Sequence, residues 1–341
     1  MSLPPVEIPL GAMRFNSDSQ KLEYWNGEIW MQVHTFSPNL SGGGGVRAIT
    51  MGGTGPAINH IQIFGMASSG NATDFGDLPY NQSSTCATAS RTRAVAFGGY
   101  DPSPGVYINK ISAVEIAANG VGFDFGDLTQ TAGYTGAVGN QTRGVRVGGT
   151  GPSNPSTKVM DYVTISNIAN AIDYGDLDNA GTTNSCNVNN PVRGIIHTSL
   201  SADYDTHCEF ITIPTRGNGY LFGDLVKSRS DASGMSNSIR GIFNGGYVSP
   251  GLVDFTEYVT ISTFGNGIRF GDLSSVTFRE GGHASPTRGI VSGGMSPSPY
   301  PTINVLQSVN FATEGDTVDF GDLAQAVYEH GSTSNGHGGL G

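Results

Sequence analysis

Two residue types recur at a spacing regular enough to suggest shared chemistry. Asp77, Asp127, Asp176, Asp224, Asp272 and Asp322 each follow an aromatic residue and a Gly and precede Leu, as in "DFGDL" at 74–78, 124–128 and 319–323. Arg47, Arg93, Arg143, Arg193, Arg240 and Arg288 each open an apolar run, as in "TRAVAFGG" at 92–99. A ring of carboxylates could hold a metal ion. One carboxylate and one guanidinium per repeat could instead form a structural pair, because the planar Arg fork matches two carboxylate oxygens. The Asp could also cap a turn by accepting backbone N–H groups. A catalytic group is seldom needed six times over, so the spacing favours scaffolding, and neither a metal nor a cofactor is expected. The leading Asp of the motif (Asp74, Asp124, Asp173, Asp319) becomes Leu221 and Arg269 in two repeats. That substitution pattern fits a solvent-facing position better than a calcium ligand.

Other chemistry is sparse. The seven His stand singly, with no H-E-x-x-H and no Cys-x-x-Cys. Gly-rich strings lack the strand-to-helix setting of a nucleotide fingerprint, and no nucleophile elbow occurs. A Ser-His-Asp triad assembles from distant segments, so spacing alone does not decide it. A glycosidase would need a carboxylate pair, and the repeats offer only Glu115, Glu209, Glu257, Glu280, Glu314 and Glu329. The expectation is a protein that is not an enzyme. Cys86, Cys186 and Cys208 show no paired spacing and read as buried free thiols.

Composition narrows the class. Gly supplies 51 of 341 residues and only 13% are charged, which suits short strands joined by tight turns. A formal charge of −11 argues against nucleic acid, whose binding rests on Lys and Arg neutralising phosphates. No apolar run approaches the length of a membrane-spanning helix, and "MSLPPVEIPL" lacks the regions of a secretory signal.

The elements that must position these residues follow from the period. The motif Gly falls at 76, 126, 175, 223, 271 and 321, and the Arg-led runs keep the same beat. Each unit offers four strand candidates. Strand a precedes the Arg, strand b runs from Arg to Gly-Gly, strand c is a β-branched run such as "DYVTIS" (161–166), and strand d enters the motif. A four-stranded unit repeated every 40–50 or so residues predicts an all-β fold, a six-bladed β-propeller. The segment after the last motif, "AQAVYEHGSTSNGHGGL", is similar to the strand-a segments, so residues about 325–336 are expected to complete the unit begun by Arg47. One unit departs: "IIHTS" at 195–199 lacks the Gly-Gly. The Gly-Gly beat, the aromatic beside the motif Gly and the period resemble kelch propellers over roughly residues 44–338, with Phe or Tyr where kelch repeats carry Trp.

Residues 11–33 lie outside the repeat and read as a three-stranded meander with a "NG" hairpin turn at 26–27. Its Phe15, Tyr24, Trp25 and Trp30, with Leu22, need a surface to pack on, because so short a sheet cannot build a core. The domains expected are thus an attachment module over 1–35, a Gly-rich linker over 36–45 and the propeller over 46–341. The segment "GAMRFN…KLEYWNGEIW" resembles a short module of bacteriophage virion proteins, especially tail-fibre and other structural proteins of phages infecting cyanobacteria. In several of those it precedes Gly-rich repeats carrying "DFGDL". The resemblance implies a virion structural component, located in the virion and assembled in the host cytoplasm. It also implies other virion proteins and sister chains, in a homo-oligomer such as a trimer, as partners.

The units differ most in their b–c loops: 54–60, 100–110, 150–158, 199–207, 247–255 and 295–304. These carry Tyr100, Tyr107, Tyr204, Tyr247 and Tyr300 beside Asp, Ser and Pro. Tyr-rich loops on a rigid scaffold suit binding of host surface polysaccharide or protein; the alternative is that the rings merely cover loop backbone. The reading is a tail-fibre or tail-associated protein with a receptor-binding face. Its alternatives are a capsid or tail decoration protein, a glycan-active enzyme, or a cellular lectin.

Overall fold

Every unit folds as a four-stranded antiparallel sheet in the order a-b-c-d. The unit of Arg143 is representative: Gly136–Gly139 (a), Arg143–Val147 (b), Val159–Thr164 (c) and Ile172–Asp176 (d). Strand b is buried on both faces after its Arg, which explains its continuous apolar run. Strand d is exposed at its start, as befits an outer edge. The computed structural model describes residues 8–16, 21–32, 46–56, 58–118, 120–152, 157–179, 186–197, 206–248 and 250–341. The chain divides into two compact units, Met1–Gly42 and Gly43–Gly341.

In the larger unit, six such sheets follow one another in a propeller-like series. Five are continuous in sequence. The sixth joins Gly331–Ser334 to Arg47–Met51, His60–Gly65 and Thr73–Asp77, with Gly331 opposite Met51 and Ser334 opposite Ala48. The core is split among the seams. Val138, Val145 and Tyr174 of one sheet pack with Ile196, Ile211 and Ile213 of the next. Ile290, Leu306 and Phe320 of the last sheet pack with Ala48, Phe64 and Met66 of the first. Beyond Ser334, a short 3-10 turn at Gly338–Leu340 is buried among the a–b turns, where a Cβ on Gly339 would fall 1.8 Å from the Gly139 carbonyl oxygen.

The repeated five letters encode a β-bulge. Opposite strand c, Asp124 pairs with Ser112 and Gly126 with Ile111, leaving Phe125 as the extra residue. The bulge turns that ring into the core, where it is fully buried. Gly126 then adopts φ 148°, and a Cβ there would lie 2.5 Å from the Ala169 carbonyl oxygen of the next sheet. The motif therefore needs Gly for close approach of a neighbour and an aromatic for the seam.

One predicted loop is a strand pair. Residues 100–110 continue the hairpin, with strand b over Arg93–Asp101 and strand c over Val106–Glu115, so Tyr100 stands opposite Tyr107. A turn closes it through Gly105 N–H to the Asp101 carbonyl at 2.8 Å. The Gly-Gly equivalent in "IIHTS" and the predicted linker at 36–45 lie outside the described residues.

The smaller unit is a meander of Met13–Asn16, Lys21–Trp25 and Trp30–Gln32. Its register sets Met13 opposite Tyr24 and Tyr24 opposite Met31, so these share a face with Phe15 and are all exposed. On the other face, Arg14 pairs with Glu23 at 2.9 Å and lies 4.2 Å from the Trp30 ring centre. Trp25 and Trp30 pack at 5.5 Å. Hydrogen bonds from Asn16 and then Arg14 lower the Glu23 pKa.

Candidate functional site

The six repeat arginines do not pair with the motif aspartates. Arg47 donates to the carbonyl of Ile116, Arg93 to Ile165, Arg143 to Ile213, Arg193 to Ile261, Arg240 to Phe311 and Arg288 to Met66, at 2.7–3.1 Å. Each acceptor lies just past strand c of the following unit. The guanidinium of Arg93, Arg143, Arg193, Arg240 and Arg288 also lies over a ring, as Arg143 does over Tyr162 at 4.4 Å. The expected intra-repeat ion pair is thereby replaced by a clamp between repeats, because a side chain leaving strand b at the seam reaches the neighbouring sheet. Among the described residues no ion pair joins a repeat Arg to a motif Asp.

The motif aspartates act through their backbone. The amides of Asp127, Asp176 and Asp224 donate to the side-chain oxygens of Asn170, Asn218 and Asn266. Asp272 and Asp322 donate likewise to Asp316 and Asn71. Their carboxylates find varied surface partners, Lys110 for Asp127 at 2.8 Å and Arg269 for Asp272 at 2.5 Å, while Asp77 is exposed. Glu209 and Glu257 are fully buried and accept amide hydrogens of Asp178, Asn179 and Val226. They hold the turn after the preceding motif and face no solvent.

Two of the five predicted loop tyrosines meet. The Tyr100 and Tyr107 rings stand 5.5 Å apart, and Tyr107 lies 6.5 Å from Tyr134. Tyr247 belongs to a small hairpin with Gly251–Leu252. Tyr300 is half exposed and packs on Phe278 at 5.7 Å. Tyr204 lies outside the described residues. Isolated bridges Ser83–Tyr100, Gly133–Thr150 and Ser230–Tyr247 tie these three b–c loops to the segment entering strand a, so both emerge at one end of those sheets.

At that end lies a constellation that sequence reasoning missed. Two residues before strand a, five units carry a non-Gly residue in the left-handed region: Ser84, Tyr134, Asp231, Arg279 and Glu329, with φ 49–57°. The sixth equivalent, Asn184, lies outside the described residues. Such backbone costs about 1–3 kcal/mol per residue and persists where surroundings impose it. Here a chain of contacts does so, with Tyr134 N–H donating to Ser84, Arg279 to Asp231 and Glu329 to Arg279. The side chains are linked as well. Arg279 bridges Asp231 at 3.2 Å and Glu329 at 2.6 Å, and the Ser84 hydroxyl donates to Glu329 at 2.5 Å.

Beneath this rim is a cavity of about 120 Å³, lined by residues of all six a-strands together with Arg279, Glu280, Glu329 and His330. Glu280 is buried and neither of its oxygens has a hydrogen-bond partner. Burial raises its pKa well above the carboxylate range. Ser292 links two buried imidazoles, His283 Nε2 and His330 Nε2, each at 2.9 Å. His283 Nδ1 faces the Thr333 carbonyl at 2.9 Å and so must carry hydrogen. His283 Nε2 then accepts from Ser292, and His330 Nε2 donates to it. His330 Nδ1 is left as a bare acceptor without a partner. Cys86 and Cys186 also line the cavity; these thiols and Cys208 are buried and free, and burial pushes the first two up to about 12. Among the described residues no three His, Cys, Asp or Glu side chains gather to hold a metal.

The arrangement offers phenol rings packed edge to face beside a rim of mixed charge, over a pocket that presents unpartnered acceptors. The rim was invisible in the sequence because its residues share a conformation and not a type. No protein-family model matches the chain, and no curated protein matches it.

Proposed function

We propose that the six sheets are the blades of a closed, kelch-like six-bladed propeller, and that the protein is a non-enzymatic virion structural component whose loop face binds host surface glycan. Closure is supported by the pairing of Gly331–Ser334 with Arg47–Met51 and by the Arg288 clamp onto Met66. The virion assignment rests on the resemblance of the N-terminal module and the "DFGDL" repeats to phage structural proteins. The exposed apolar face of that module, Met13, Phe15, Tyr24 and Met31, suits attachment to other virion proteins or to sister chains.

One observation carries the glycan reading: shared residues hold the seams, while the residues that differ among repeats meet at one end. There Tyr100, Tyr107 and Tyr134 adjoin the rim that Ser84 joins to Glu329. Aromatic faces with fixed polar groups are the usual means of holding a sugar ring in orientation. A glycan array probed with the full chain is the test. Retention on surface polysaccharides that Tyr107→Ala abolishes supports receptor binding; no retention on any glycan leaves decoration of a capsid or tail as the role.

A further inference from the structure

We propose that the axial cavity is a binding pocket for a small ligand bearing a primary ammonium group, seated on Glu280 and His330 beneath the rim formed by Asp231, Arg279 and Glu329. This proposal does not depend on a virion role.

Charge and hydrogen-bond capacity carry it. Glu280 is 7% exposed, lines the cavity, and leaves both oxygens without partners. His330, 6% exposed, lines it too and leaves Nδ1 as a lone-pair acceptor. A buried carboxyl with neither oxygen satisfied is costly and uncommon in a folded protein. The unmet need is for donors, and an ammonium group brings three donors and no acceptor. Around the pocket, Asp231 and Glu329 are bridged by the single Arg279, and nearby Arg229 is already paired with Glu257. Glu280 is therefore the carboxyl without a cation of its own among these residues. Size selects a small ligand, because a cavity of about 120 Å³ holds about four waters at roughly 30 Å³ each.

Occupancy has a proton signature. Burial raises the Glu280 pKa and an arriving ammonium favours the carboxylate, so binding shifts Glu280 toward proton release. The titratable groups facing the site are Asp231, Arg279, Glu329, His330, His337, Cys86, Cys186 and the Arg229–Glu257 pair; among them and Glu280, only Glu280 is a buried carboxyl with neither oxygen hydrogen-bonded.

Isothermal titration of the full chain with ethanolamine, and with its neutral near-isostere ethylene glycol, decides the matter. Ethanolamine is expected to bind one per chain, at least ten-fold more tightly than ethylene glycol. Heats measured in two buffers of different ionisation enthalpy should report net proton release on binding. Glu280→Gln should weaken ethanolamine at least ten-fold; the buffer comparison on the unaltered chain stands if that variant does not fold. Glucosamine distinguishes sources: if it binds too, the pocket accepts an amino sugar of a glycan, and if only ethanolamine binds, it serves a free amine. No saturable binding of either amine, equal affinity for ethylene glycol, or absence of proton release would overturn the proposal.

Discussion

Arg288 donates through Nη1 to the Met66 carbonyl at 3.0 Å, joining residues 222 positions apart. The other five repeat arginines make the same contact with the sheet that follows their own. Arg288→Ala removes a charged hydrogen bond, worth about 1.5–3 kcal/mol, and cover for the Phe320 ring 5.4 Å away. Scanning calorimetry should show a melting temperature lowered by a few degrees. Asp322→Ala, whose structural contact is its own amide to Asn71, should change stability by less than about 0.5 kcal/mol. Equal losses for the two variants would restore the ion-pair reading.

The motif Gly should be the least replaceable residue of its repeat. Gly126→Ala combines φ 148° with a collision against the Ala169 carbonyl. The backbone strain alone costs about 1–3 kcal/mol, and the seam must open as well. Gly65 has open space around its Cβ position and no positive φ, so Gly65→Ala should be close to neutral. Urea unfolding midpoints of the two variants check the contrast.

Removing residues 325–341 deletes the strand Gly331–Ser334 and the Gln325 amide bond to Gln62 at 2.9 Å. It also deletes the His337 contact to the Ala89 carbonyl at 2.7 Å. The first sheet then loses its inner strand, and circular dichroism should show loss of the cooperative melt. A truncated chain melting like the full one would mean that the pairing contributes little.

The period and the strand order were legible because Gly, aromatic and β-branched residues obey local rules at every repeat. The partners were not. Arg143 and Asp176 lie in one repeat and invite pairing, yet Arg143 binds Ile213 O in the next, a backbone atom that sequence does not mark. Tyr100 and Tyr107 were readable as binding candidates, but "YDPSPGVYINK" masked a hairpin because its Pro and Gly signal a loop. The rim escaped for a deeper reason. Ser84, Tyr134, Asp231, Arg279 and Glu329 have no common chemistry, and apart from Asp231 none is of a type that visits the left-handed region readily. Only the tertiary contacts put them there.

The pH dependence of stability should carry two opposed signatures. Burial lowers the pKa of His283 and His337 to about 4, and burial together with His283 lowers His330 to about 3. In the unfolded chain a histidine titrates near 6.5, so below that pH the unfolded state binds more protons and stability falls until the folded values are reached. Glu280 works the other way, since its raised pKa lets the fold keep a proton that the unfolded chain gives up above about 4.5. Its contribution is complete in acid and is lost as pH rises toward the folded value. Thermal melts from pH 4 to 8 should therefore rise steeply to near 6.5 and then level or decline. Burial also raises the Glu329 pKa, so Glu280→Gln removes the Glu280 part of the second trend, and its melting temperature relative to the parent should increase with pH. A difference that stays flat across the range would show that Glu280 is ionised in the fold.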